Sequence, residues 1–129
     1  MLNKVELIGR IAFEPELRST ESNTPVMSVR LACTRDRKGE NGERQTDWID
    51  VVLWRYNAEY VKRFGSKGRL LCVVGRLQSR DWADKNGVKH TAVEVEAESV
   101  YLIDNKKTEL GNLQSKFEEL NEEEDGLPF

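Results

Sequence analysis

Apolar residues along this chain recur mostly at every second position, the spacing that sends alternate side chains to opposite faces of a strand. Residues 3–12 place Val5, Leu7, Gly9 and Ile11 on one side and Lys4, Glu6, Ile8 and Arg10 on the other. Val26 to Arg35 repeats the pattern, with Met27, Val29, Leu31 and Cys33 on a common face. Trp48 to Trp54 is a third strand, rich in β-forming residues, in which Ile49, Val51 and Leu53 point to one side. Arg69 to Trp82 and Val88 to Ile103 supply two longer strands, joined through Asn86-Gly87, a dipeptide suited to a tight hairpin. Gly75, inside the fourth strand, predicts a bulge or a sharp bend.

The intervening segments are polar. A loop follows the first strand, with Glu14-Pro15 and then Ser19 to Pro25. Asp36 to Asp47, with Gly39, Asn41 and Gly42, reads as a long hairpin loop. Asn57 to Phe64 has helical spacing: Asn57 is a candidate cap, Ala58, Val61 and Phe64 form an inner stripe, and Gly65 ends the helix. Three strands, one helix and two strands, in that order, predict an all-β fold: a five-stranded OB-fold barrel with one short helix between strands 3 and 4. It fills residues 1–105. Residues 106–129 form a tail in which Leu110, Leu113, Phe117 and Leu120 make a helical seam weakened by Gly111. That seam can dock on the barrel, bind a partner as a helix, or stay disordered.

Charge separates the two parts. Residues 1–105 carry 17 basic and 16 acidic side chains, whereas the tail carries 3 and 7. Acids crowd between Glu118 and Asp125, so a near-neutral body ends in an acidic segment, consistent with two tasks on one chain. At 129 residues the chain has room for one modest core, and its mean hydropathy of −0.64 fits a hydrophilic surface. No apolar run approaches the roughly 18 residues of a membrane span. The N-terminus opens into an alternating segment, which predicts no secretory signal and a cytoplasmic location.

Several chemistries are excluded or poorly supported. Cys33 and Cys72 stand far apart with no CxxC pair, so a zinc ribbon is ruled out and two buried thiols are expected. His90 is the one histidine, which excludes a multi-histidine metal site. There is no phosphate-cradling loop of the Walker type, and no nucleophile, base and orienting group can be assembled. Glu94, Glu96 and Glu98 alternate along the last strand and read as a solvated face. A magnesium-dependent nuclease built on them is a remote alternative. The chain is therefore expected to be no enzyme and to need neither cofactor nor metal.

The tryptophans are more informative. Trp48 and Trp54 project from the same face of one strand, opposite Ile49, Val51 and Leu53, and Trp82 sits at the mouth of a hairpin. Each has polar neighbours, so the three are expected outside the barrel. Arg35, Arg37, Lys38, Arg44, Arg55, Lys67, Arg76, Arg80 and Lys85 interleave with them. Flat aromatic faces among cations suit single-stranded nucleic acid, whose bases stack and whose phosphates follow the charges.

With these motifs in order, residues 2–104 resemble the bacterial single-stranded-DNA-binding protein family. The likeness runs through Leu2-Asn3-Lys4-Val5, Leu7-Ile8-Gly9-Arg10, Pro15-Glu16-Leu17-Arg18, Asn41-Gly42-Glu43, Trp48 to Trp54, Ala58-Glu59, Lys67-Gly68 and Val74 to Arg80. The resemblance implies a homotetramer that wraps single-stranded DNA in replication, recombination and repair, in association with the nucleoid. It implies stacking on Trp48, Trp54 and Trp82, with cationic contacts from Arg18, Lys67, Arg76, Arg80, Arg55 and Lys85. It implies a subunit interface that includes Asn3, Lys4 and Val5. Two departures stand out. Relatives carry an aromatic where this chain has Arg35-Asp36-Arg37-Lys38, so binding there is expected to lean on Arg35, Arg37 and Lys38 and to be salt-sensitive. Relatives also carry a basic residue and an aromatic where this chain has His90-Thr91.

The end of the chain, Glu124, Asp125, Gly126, Leu127, Pro128 and Phe129, is similar to the family's acidic tip, which recruits replication, recombination and repair proteins. Phe129 offers an apolar anchor, Pro128 limits the entropy lost on docking, and the acids steer toward basic surfaces. About twenty residues separate barrel and tip, giving a short reach. A protein–protein adaptor, with the barrel as mere scaffold, is the alternative from another class.

Overall fold

The structure, a computed structural model, describes residues 1–104. The tail seam from Leu110 to Leu120 and the tip from Glu124 to Phe129 lie outside the described residues.

The period-two segments all form strands: β1 (Val5–Ile11), β3 (Pro25–Lys38), β4 (Arg44–Trp54), β5 (Leu70–Ala83) and β6 (Lys89–Leu102). A two-residue β2 (Arg18–Ser19) adds to one edge of β3, and the helix α1 (Tyr56–Phe64) follows β4. The strands run in the order β1-β5-β6-β4-β3-β2, and a β1–β3 pairing at Arg10 and Ile11 closes the barrel. Five long strands with one helix after the third of them make the expected OB-type barrel.

The inward faces follow the alternation. Ile11, Met27, Val29, Leu31, Val51, Leu53, Leu71, Val73, Val95 and Val100 fill the interior, and Ala58 and Val61 bring the helix against it. At Gly75 the β5–β6 register shifts, and a Cβ there would lie 2.1 Å from the Glu96 carbonyl oxygen. The glycine is required by that close approach of two backbones.

Four expectations need correction. Asp36 to Asp47 is not a long loop. The β3–β4 ladder continues past a bulge to Lys38 and Arg44, and only Gly39 to Glu43 turns the chain. Gly42 takes φ of 79° in that turn. The ladder outruns the barrel, so neither face of this arm is covered and no apolar alternation marks it. Asn57 does not cap the helix: its amide donates to the Glu98 carbonyl at 3.2 Å, and the N-cap is Arg55, without a side-chain bond. Phe64 is not buried but 46% exposed, tilted against the Tyr60 ring at 5.5 Å. The two thiols are half-buried, and burial followed by the charge of Asp47 pushes the Cys33 thiol above its ordinary pKa.

Candidate nucleic-acid interface

The outward faces of β3, β4, β6 and β5 form one continuous surface, because these strands are neighbours in the sheet. Trp48 and Trp54 stand on it opposite Ala32 and Val26, with Asp50 and Val52 between them. The parallel pairing of β4 and β6 sets Val52 beside Glu96. The β5–β6 ladder then carries the same face through Arg76–Glu96 and Gln78–Glu94 out to Trp82–His90. Trp48, Trp54 and Trp82 are 61%, 38% and 45% exposed. All three therefore lie outside the core on one side of the sheet, as their polar neighbours suggest.

Trp54 is the wall between two clefts. The larger, of about 630 Å³, also has Phe13, Arg18, Val52, Arg80 and Glu94 in its walls. The second includes Thr24, Arg55, Asn57 and Glu96. Lys67 sits by the larger cleft, its backbone N–H donating to the wall residue Glu14 at 3.1 Å. Arg18 lies 3.9 Å from Glu16 and is otherwise exposed. Arg55 adopts φ of 52° and ψ of −121°, a strained conformation for a residue with a Cβ. Its backbone N–H donates to the Pro25 carbonyl at 2.8 Å, which fixes the corner just after Trp54.

The carboxylates of this face alter the cation inventory. Glu94, expected in a solvated row, is only 6% exposed. Its Oε1 accepts from Gln78 Nε2 at 3.1 Å and from Arg80 Nε at 3.3 Å. Glu96 is half-buried and pairs with Arg76, and Glu98 pairs with Lys4 at 2.9 Å. Glu94 and Glu96 thus answer cations on the neighbouring β5, and Glu98 answers Lys4 just ahead of β1. Register, not sequence spacing, creates these pairs. Among the described residues no group of acidic, cysteine or histidine side chains could hold a metal ion.

Arg35 is the most heavily engaged of the predicted cations. Its Nε and Nη2 donate to Asp47, each at 2.9 Å, and its Nη1 donates to Gln45 at 2.8 Å. The bonds from Arg35 to Asp47 hold its carboxyl below the usual carboxylate range. Asp47 and Gln45 share the parity of Ile49, so Arg35 faces away from Trp48. Arg37 and Lys38 line a shallow hollow at the tip of the arm with Arg35 and Asn41. Lys85 is exposed in the β5–β6 turn.

The three N-terminal candidates all have partners within the chain. The Asn3 side chain donates to the Leu77 carbonyl at 2.8 Å and accepts from the Leu77 N–H at 2.9 Å. Lys4 pairs with Glu98, and Val5 packs against the core opposite Gly75. Two residues of the tryptophan face escaped the sequence reasoning. Phe13, exposed in the cleft with Trp54, directly precedes Glu14-Pro15 and could have been flagged as an unburied aromatic. His90 stacks on Trp82, and only the cross-strand register reveals it.

Residues 2–103 match the family described as the Single-strand binding protein family. The chain is 40% identical over 128 residues to a Single-stranded DNA-binding protein of Caldanaerobacter subterraneus, covering 98% of this chain and 85% of that protein. It is 39% identical over 109 residues to Single-stranded DNA-binding protein 1 of Lactococcus lactis, covering 84% of this chain and 73% of that protein. A Single-stranded DNA-binding protein of Streptococcus mutans is 37% identical over 115 residues, covering 89% and 70%. A match along nearly the whole barrel, joined to this sheet topology, assigns the chain to the single-strand binding protein family, whose members bind DNA without catalysing a reaction.

Proposed function

We propose that this chain binds single-stranded DNA without reading its sequence, by stacking bases on Trp48, Trp54 and Trp82. The supporting observation is the common outward face of the three indoles, flanked by an open cleft with Arg18 and Arg80 in its walls. Arg76, Arg55, Lys67, Arg37, Lys38 and Lys85 supply further phosphate contacts, whereas Arg35, taken up by Asp47 and Gln45, adds little. Stacking is tolerant of sequence because every base has a π-face. The relatives named above are called single-stranded DNA-binding proteins, which supports the same reading.

The functional unit is a homotetramer. The outer row of Ile8, Cys72 and Tyr101, aligned by register across β1, β5 and β6, offers apolar surface for a second copy. The edge of β1 from Val5 to Gly9 pairs with β5 alone among the described residues and offers unpaired backbone groups to that copy, beside Asn3 and Lys4. Residues 1–105 act as the DNA-binding domain and 106–129 as an acidic tail. The tip from Glu124 to Phe129 recruits replication, recombination and repair proteins to DNA in the cytoplasm.

Titration of the tryptophan fluorescence with oligo(dT) at low and high salt, against a duplex control, tests the core of this reading. Strong quenching by the single strand and little response to duplex are expected. A protein that binds neither at low salt has no working groove, and the adaptor reading then replaces this one.

A further inference from the structure

Trp82 is supported on one side by a neighbour that is itself held in place. Its indole and the His90 imidazole are directly opposed across β5 and β6, with centroids 4.6 Å apart and planes 25° from parallel. His90 Nε2 lies 2.9 Å from Asp84 Oδ2. Asp84 belongs to the hairpin turn, where its Oδ1 accepts from the N–H groups of Asn86 at 2.9 Å and Val88 at 3.0 Å. Turn, carboxylate, imidazole and indole thus form a chain of contacts that ends on one face of Trp82. The other charged groups nearby are Lys85 in the turn, Lys89 beside His90, and Arg80 two positions along β5. Asp81 is turned to the opposite face of the hairpin, where it accepts from the Thr91 hydroxyl at 2.8 Å.

We propose that His90, held by Asp84, is a positioning residue that backs one face of Trp82 so that a base stacks on the other, most firmly when the imidazole is protonated. The inference rests on the single-stranded DNA reading. An exposed indole on a hairpin arm loses rotamer freedom when a base stacks on it, and a prearranged ring loses less. Protonation strengthens both of His90's contacts: the bond to Asp84 becomes charge-assisted, and the ring over Trp82 becomes a cation over a π-face. The hydrogen bond to His90 is also the largest cause holding the Asp84 carboxyl below the usual carboxylate range, so the anion is present throughout the interval in which imidazoles titrate.

His90 is the one histidine of the chain, so its ring proton signals can be followed by NMR without competition. The full chain is titrated from pH 8 to 5.5, free and bound to oligo(dT), with affinities measured by fluorescence at fixed salt. DNA is expected to raise the His90 midpoint, and affinity to rise about three- to tenfold over the same range, as linkage requires. His90→Gln keeps a donor for Asp84 but does not titrate, and its profile should stay at the weaker level. His90→Arg presents a flat cation at every pH and should restore the tighter affinity at pH 8. A midpoint that DNA does not move, or a His90→Gln profile parallel to the wild type, overturns the inference. So does a His90→Lys variant equal to His90→Arg, because charge without a flat face would then suffice. Failure of the wild type to bind oligo(dT) at any pH sinks the DNA reading itself, and this inference with it.

Discussion

Whether an arginine on the outer face can grip a phosphate depends on which of its nitrogens are already engaged. Arg35 donates from Nε and both Nη groups to Asp47 and Gln45, whereas Arg80 commits only Nε to Glu94 and keeps both Nη groups free among the described residues. Arg80→Ala should therefore lower the slope of log affinity against log salt by about one. Arg35→Ala should leave oligo(dT) affinity within about twofold, since an exposed ion pair contributes little either way. Salt-dependent titrations of the two variants check the ranking, and equal slopes would refute it. For stacking, Trp54→Ala should cost about 1–3 kcal/mol of binding with the fold intact. Phe13→Ala should weaken binding less, because its ring is smaller and more exposed than that of Trp54. Oligo(dT) titrations followed by circular dichroism separate loss of binding from loss of fold. The tryptophans were legible from their polar flanks. The engagement of the arginines was not, because it depends on side chains brought opposite each other by register.

At the scale of elements, the period-two pattern made all five long strands and their inward faces legible. The pattern faded where the structure leaves the core. The β3–β4 arm pairs residues with both faces in solvent, so its strands carry no hydrophobic alternation. The helix cap was misread for a related reason. Asn57 is a good capping residue in isolation, but the tight corner after Trp54 places Arg55 at the N-cap, and the Asn57 amide finds the Glu98 carbonyl instead. Gly75 was legible as a bend, and its cause is now specific. Gly75→Ala would drive a methyl group into the Glu96 carbonyl across the β5–β6 bulge. A loss of about 1–3 kcal/mol of folding stability is expected, read by urea unfolding, because both atoms belong to paired backbones that cannot move independently. An unchanged midpoint would mean that the bulge relaxes freely.

At the scale of the whole molecule, the barrel presents two surfaces of different character. One carries the indoles and their cations. The other carries Ile8, Cys72 and Tyr101, and has no partner within the described residues. Ile8→Glu should break the proposed tetramer into smaller species, seen by light scattering, while each barrel stays folded, because Ile8 points away from the core. A tetramer that survives this change would move the interface elsewhere. The proposed roles in DNA binding and in partner recruitment both involve the acidic tail. On this proposal its negative charge competes with DNA for the same arginines and lysines, and the few residues between barrel and tip favour that competition. Deleting Gly126 to Phe129 removes the apolar anchor and the proline but leaves all seven acidic side chains of the tail. Oligo(dT) affinity should therefore be unchanged or slightly higher, while capture of replication and repair proteins should be lost. Deleting Glu118 to Phe129 removes six of those seven acids as well, and DNA affinity should then rise further, most visibly at low salt where screening is weak. Affinity that falls in either deletion would show that the tail helps hold DNA rather than compete with it.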